Sequence, residues 1–333
     1  MPEVTLHIGA AKCGSSAIQT VLSNHPRLQK RDGSKVEYLS IKRNGTVLRG
    51  KTLSGSIGTH GYLISPGTSD FRKLDLAELT KSILSSDASH IIISNEEWMD
   101  QAATWAKIIP ALGIRTNVVA YVRPQVPFLN SAWWQWGAWS GLSFEDWALP
   151  RMRASARWAA KLVAWKAIPE IGQVTVRLLP KDIVVDFFEK VLDAPVPADI
   201  TRVANRGLPA AFLRLMQRNR ELRPGIHDSR IDFLLSKHLD LHGSPPWVID
   251  NATAEAVIRE NRNGNLKLLD LLDVIPPELD EQRAFIQSQL PSAGDASPSV
   301  TPKVSSNSGF TWGHDWKVRR GSSNELNLQA LDV

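Results

Sequence analysis

A single cysteine, Cys13, stands in 333 residues, so no intramolecular disulfide can form and nothing calls for an oxidising compartment. No uninterrupted apolar run reaches the ~18 residues that a membrane span requires. The start lacks the basic segment of a secretory leader: Glu3 stands where it would lie, and the apolar opening runs into Lys12 and Cys13. A soluble cytoplasmic protein is the expectation. The eight histidines show no metal-ligand spacing, so no metal site is expected. Large charge excess is missing too. Lys and Arg number 39 against 34 Asp and Glu, and the balance of +5 is too small and dispersed for nucleic-acid binding to be expected, although a pI near 9.3 suits an anionic ligand. Tyrosine is scarce at 3, whereas tryptophan reaches 12, which implies a large aromatic core, an aromatic-walled cleft, or both. With 43% hydrophobic and 22% charged residues, a mostly disordered chain is excluded.

What is there is an alternation of strands and helices. Val4–Ile8 is a short β-rich run ending at Gly9, and from Ser15 apolar positions fall at helical spacing until His25-Pro26. Residues 31–70 are rich in Gly, Ser and Thr and read as an irregular excursion with one strand at Val36–Leu39. Helices are expected at about 72–85, 96–108, 126–139, 153–168 and 182–192, buried strands at His90–Ser94 and Asn117–Val122, and one more strand at Val174–Leu179. The pattern predicts an α/β fold, a P-loop-like three-layer sandwich with a central, mostly parallel sheet and a helical C-terminal part. The strand-bearing core spans 4–193 and a helical extension 208–290, which together make one domain over 1–290. Residues 291–333 read as a polar linker and tail.

The stretch Gly9-Ala10-Ala11-Lys12-Cys13-Gly14-Ser15-Ser16 follows a strand and opens a helix. There, backbone N–H groups and the helix N-terminus make an anion site, and the glycines let an oxygen approach the backbone. Its two glycines are spaced as in a Walker A loop, but a nucleotide kinase carries lysine directly after the second glycine, where this chain has Ser15. With its lysine inside the loop, the motif resembles that of the sulfotransferases that use 3′-phosphoadenosine 5′-phosphosulfate (PAPS). The chain as a whole resembles bacterial, carbohydrate-type members. The family's usual threonines are replaced by Ser15 and Ser16, which keep both hydroxyls. The resemblance implies that residues 9–16 bind the nucleotide and that Lys12 stabilises the leaving phosphate.

A second segment, Tyr121-Val-Arg123-Pro124 through Ser131, carries a further part of the resemblance. In that family an Arg at a strand's end and a Ser eight residues later grip the 3′-phosphate, and Arg123 and Ser131 have this spacing. A guanidinium forks onto phosphate oxygens while a hydroxyl donates to another. Here Pro124 follows the Arg directly, where the family often has proline one residue later.

Ser94-Asn95-Glu96-Glu97 closes the middle strand. The resemblance to sugar sulfotransferases implies a carboxylate base in a Ser-x-Glu register, which selects Glu96. The alternative is that Glu96 and Glu97 decorate a helix N-terminus, where the dipole favours them. His7 is either a partly buried strand histidine or a second candidate base. Trp133, Trp134, Trp136 and Trp139 either wall an acceptor cleft or belong to the core, with core the more usual place for an aromatic stripe. Asn205–Leu208 and Gly313–Lys317 echo later family segments faintly. The expected activity is transfer of a sulfuryl group from PAPS, as co-substrate and without a metal, to a hydroxyl or amine of a saccharide, glycolipid or other small acceptor. The rivals are a P-loop kinase or other nucleoside-triphosphate enzyme and a non-catalytic anion- or nucleic-acid-binding module.

Overall fold

The computed structural model describes residues 1–58, 61–71, 73–198, 200, 208–223 and 246–273, scattered positions between 225 and 239, and the backbone of 316–320 and 326–330. Seven strands form one sheet: β1 (Glu3–His7), β2 (Arg27–Gln29), β3 (Lys35–Ile41), β4 (Val47–Leu48), β5 (His90–Ser94), β6 (Thr116–Val122) and β7 (Ile171–Leu178). Their order is β2-β3-β5-β1-β6-β7, with β4 also paired to β3. The β3, β5, β1, β6 and β7 strands run parallel; β2 and β4 pair antiparallel with β3. The central strands read as continuous apolar runs because both sheet faces are covered, and Ile91, Ile92, Ile93, Val118 and Ala120 are wholly buried.

The chain leaves β1 toward β3 on one side, whereas it leaves β6 toward β7 on the other. The sheet's switch point therefore lies between the carboxyl ends of β1 and β6, where open α/β sheets form their ligand crevice. All five parallel strands fall where the sequence places them. The short β2 and β4 do not, because three and two residues are too few to carry a period.

The helices are α1 (Ser15–Asn24), α2 (Gly50–Ser54), α3 (Lys73–Leu84), α4 (Ala102–Leu112), α5 (Gln125–Gln135), α6 (Phe144–Ser155), α7 (Trp158–Lys166), α8 (Ile183–Asp186), α9 (Ala210–Arg218) and α10 (Asn251–Leu269). A wider π turn, Phe187–Val191, continues α8. Two expected helices come out shorter. Between 96 and 108 the chain first makes a single turn, Trp98–Asp100, and α4 starts only at Ala102. The Gln101 side chain is drawn off to accept from the backbone N–H and hydroxyl of Thr68. The helix expected over 126–139 stops at Gln135 as the chain folds back over Trp133. Gly137 fits there because a Cβ would lie 2.1 Å from that indole ring. The helix expected over 153–168 is two, α6 and α7, broken before Arg157.

The tryptophan excess resolves largely into core. Trp98, Trp105 and Trp165 are fully buried, with Trp98 edge-on to Trp105 at 4.7 Å between centroids. Trp133 sits edge-on to Trp147 at 5.6 Å, whereas Trp134, Trp136 and Trp139 are half-buried against the core's margin. Beyond 208, α10 packs on α5 and α7, and the Asp273 N–H donates to the Val176 carbonyl on the outer edge of β7 (2.8 Å). From 208 onward the sequence reads as helical, without strands. A separate unit over 300–333 nonetheless holds two, β8 (Trp316–Arg320) and β9 (Leu326–Ala330), paired antiparallel with Trp316 opposite Ala330. Asn205–Gly207, the segment 291–309 and residues 313–315 lie outside the described residues. Among the described residues no helix is long and apolar enough to cross a membrane.

Candidate active site

The loop 9–14 bridges β1 and α1 at the switch point. Gly9 lies so close to Ser15 that a Cβ would stand 2.2 Å from its hydroxyl and 3.5 Å from the Glu96 Cα. Gly14, at φ 83°, turns the chain into α1, and a Cβ there would meet Ile183 at 2.6 Å. No side chain caps α1, and although the Ala17 N–H donates to the Gly14 carbonyl (3.0 Å), the Ser15 and Ser16 N–H groups ahead of it are left for an anion. Ala10 is buried, and its carbonyl accepts from the Cys13 N–H (3.1 Å) and weakly from the Ser15 hydroxyl (3.4 Å). Ser15 is thus turned into the loop, while half-buried Ser16 faces outward and donates to the Tyr62 hydroxyl (3.3 Å). Cys13 is fully buried, which pushes its thiol up to about 12 and keeps it neutral. Ala11 is half-buried on the loop's crest.

Lys12 stands at the top of this loop in left-handed backbone, φ 63°, a conformation non-glycine residues adopt at a cost. Its ammonium is brought down to about 8, first by desolvation and then by the Arg123 guanidinium. Burial lowers Arg123 as well. Among the described residues neither cation has an ion-pair partner. Arg123 follows β6 directly, and Pro124 takes the N-cap position of α5, its φ of −50° suited to helix entry. Gln125 turns away into the core, donating to the Asn265 side chain (2.7 Å). Ser131, half-buried, lies two turns into α5, and its hydroxyl has no hydrogen-bond partner among the described residues. A third cation, Arg223, lies 4.5 Å from the Trp139 ring, salt-bridged to Asp232, and also lowers Lys12.

The carboxyl end of β5 completes the crevice. Asn95 is buried, donating to the Ser65 carbonyl and accepting the Glu97 N–H (2.5 Å), which makes a tight turn at this point. Glu96 is half-buried beside the loop. Burial raises its carboxyl above the usual range, with Glu97 adding to the rise and Lys12 opposing it. Glu97 is exposed, its carboxylate resting over Gly67, where a Cβ would be 2.8 Å away. The two adjacent carboxylates thus occupy different environments.

His7 lies beneath the loop. Its ring is wholly buried between Tyr121 and Phe187, and Nδ1 is 2.8 Å from the Ser94 hydroxyl, which also accepts from Gln19 (2.9 Å). Burial drops His7 to about 4, and His90, 2.9 Å from the Thr5 hydroxyl, also falls to about 4. Both are therefore neutral in the folded protein at pH 5–6, where an unfolded chain binds their protons. Stability is complete above pH ~6.5 and falls as pH drops toward 4, by up to ~1.4 kcal/mol per pH unit for each ring. Thermal unfolding followed between pH 7 and 4.5 checks this, and His7→Gln should flatten the slope.

Lys12, Glu96 and Arg123 thus meet at one crevice, with Ser16 facing it and His7 underneath. The residue that sequence reasoning passed over is Tyr62, which lies in the excursion 31–70 with no periodicity to mark it. No group of three His, Cys, Asp or Glu able to hold a metal ion occurs among the described residues.

No protein-family model and no curated protein matches the chain. Among solved structures it is similar to a sulfotransferase from Alicyclobacillus acidocaldarius, at 14% identity and TM-score 0.43, over 84% of this chain and 99% of that one. No residue role follows from a likeness this distant.

Proposed function

We propose that this protein is a PAPS-dependent sulfotransferase. The observation that carries the reading is the pairing of Lys12 and Arg123: two cations at the carboxyl ends of adjacent strands, beside an uncapped helix N-terminus, each lowered by burial. Such an arrangement is relieved by an anion with two separated charges. In the reaction an acceptor hydroxyl attacks sulfur in line, forming the new S–O bond as the bond from sulfur to the 5′-phosphate breaks. The electron pair leaves with the phosphate oxygen, where Lys12 and the α1 N–H groups meet the growing charge. The acceptor's proton passes to the Glu96 carboxylate, whose raised proton affinity suits a base. Arg123 and Ser131 hold the 3′-phosphate. A cavity of about 470 Å³ beside Glu97, with Ser40, Arg43 and Ser65 on its walls alongside Ile41, Leu63 and Ile64, has the mixed polar and apolar lining that a saccharide or glycolipid headgroup would use.

Thermal-shift titration tests the donor. 3′-Phosphoadenosine 5′-phosphate (PAP) should bind tightly with EDTA present, and ATP much more weakly. Equal affinity for ATP, or an absolute need for Mg²⁺, would favour a P-loop kinase instead. Arg123→Ala should weaken PAP by ~2–5 kcal/mol, the cost of truncating one partner of a desolvated charge pair. Adenosine 5′-phosphosulfate, which lacks the 3′-phosphate, should bind wild type and variant almost alike, whereas matched losses would make Arg123 structural.

A further inference from the structure

The segment 61–67 has no regular structure, yet it is tied down at nearly every residue across the ends of β3, β5 and α1. The Leu63 N–H donates to the Ser23 hydroxyl (2.9 Å), and the Tyr38 hydroxyl donates to the Leu63 carbonyl (2.6 Å). The Ser65 N–H reaches the Ser94 carbonyl (3.2 Å), the Ile41 N–H reaches the Ser65 hydroxyl (3.2 Å), and the Trp98 indole donates to the Pro66 carbonyl (3.0 Å). Gly61, in left-handed backbone at φ 79°, delivers the chain into this strap.

The strap brings Tyr62 to the α1 end of the crevice. Its oxygen accepts from Ser16 at the second residue of α1, so its own O–H proton remains to be donated, and no acceptor for it occurs among the described residues. The ring is half-buried, and Glu96 lies near enough to act electrostatically on the phenol. Burial raises the phenol above its ordinary value, so it keeps its proton and remains a donor throughout the physiological range.

In-line transfer sets the leaving phosphate oxygen, sulfur and acceptor oxygen along one line that starts at the α1 N-terminus, with Glu96 beside the acceptor oxygen at its far end. A group touching Ser16 at one end and neighbouring Glu96 at the other flanks the middle of that line. We propose that the Tyr62 hydroxyl donates a hydrogen bond to a non-bridging oxygen of the sulfuryl group, orienting it for attack. The inference rests on the sulfuryl-transfer reading above. Tyr62 neither gains nor loses a proton in the step; a tied strap matters because a donor fixed in advance needs no reorganisation as charge shifts.

Tyr62→Phe keeps the ring and deletes the donor. The expected result is unchanged PAP affinity, PAPS affinity weakened about three- to tenfold, and single-turnover hydrolysis of PAPS slowed about a hundredfold. Tyr38→Phe loosens the strap without touching the Tyr62 hydroxyl, and it should leave the ratio of PAPS to PAP affinity unchanged. Wild-type turnover in Tyr62→Phe, an equal loss of PAP and PAPS binding, or the same pattern in Tyr38→Phe would each overturn the proposal while leaving the sulfotransferase reading intact. Failure of the wild-type protein to bind PAP would instead remove that reading.

Discussion

Replacing Lys12 with Ala is expected to slow PAPS turnover by about a hundredfold or more, the loss typical of deleting one preorganised donor at a developing oxyanion. The melting temperature should not fall and should rise if anything, because Lys12 makes no hydrogen bond or ion pair among the described residues and its ammonium, lowered by burial and then by Arg123, is a charge that folding disfavours in the free protein. Its φ of 63° adds a second arm: Lys12→Gly, which relieves the left-handed backbone, should lose as much turnover without losing stability. A third arm is pH. The ammonium of the free protein titrates at about 8, so PAP affinity should be full below that pH and weaken as pH rises through it. Bound phosphate favours the charged form, so the fall should move upward once nucleotide saturates the site. Lys12→Ala should lack this limb. An active Lys12→Ala protein would remove Lys12 from the chemistry, whereas a wild-type affinity flat to pH 9 would show that its ammonium is not lowered in the free protein.

The architecture was legible where the physics is local. Val118–Val122 and Ile91–Ile93 carry mostly apolar side chains on both sheet faces because helices cover both, so sequence alone places them in a parallel sheet. Gly9 and Gly14 were legible for a related reason, since close approach and positive φ admit little else. What stayed hidden depends on contacts between segments far apart in sequence. Nothing around Tyr62 marks it, because the strap's order comes from Ser23, Tyr38, Ser94 and Trp98, all at least 25 residues away from their partners. His7 was ambiguous as a candidate base for the same reason. Only the Ser94 and Gln19 contacts, together with Tyr121 and Phe187, reveal that its ring is enclosed.

The adjacent carboxylates at the end of β5 allow the sharpest division of roles. Side chains alternate along an extended chain, and Ser94 points to His7 while Asn95 points to Ser65. The Asn95 side chain then accepts the Glu97 N–H and turns the chain, leaving Glu96 beside Lys12 and Glu97 over Gly67 in solvent. Glu96→Gln, nearly isosteric, should therefore reduce turnover by ~10²–10⁴, the range for losing a general base, with PAP binding retained. Glu97→Gln should change turnover by less than about tenfold, since an exposed carboxylate in water contributes little beyond screened charge. Because a base must be ionised, and burial raises the Glu96 carboxyl, wild-type kcat/KM should fall on acidification at a pH above the ordinary carboxylate range. That acid limb should survive in Glu97→Gln, at a slightly lower pH because one neighbouring negative charge has gone, and be absent from the residual activity of Glu96→Gln. Were Glu97→Gln the inactive variant, the proton would be leaving through the solvent side of the crevice. Were both variants active, no carboxylate of this strand end would be the base, and enclosed His7 could replace them only by a local opening of the loop above it.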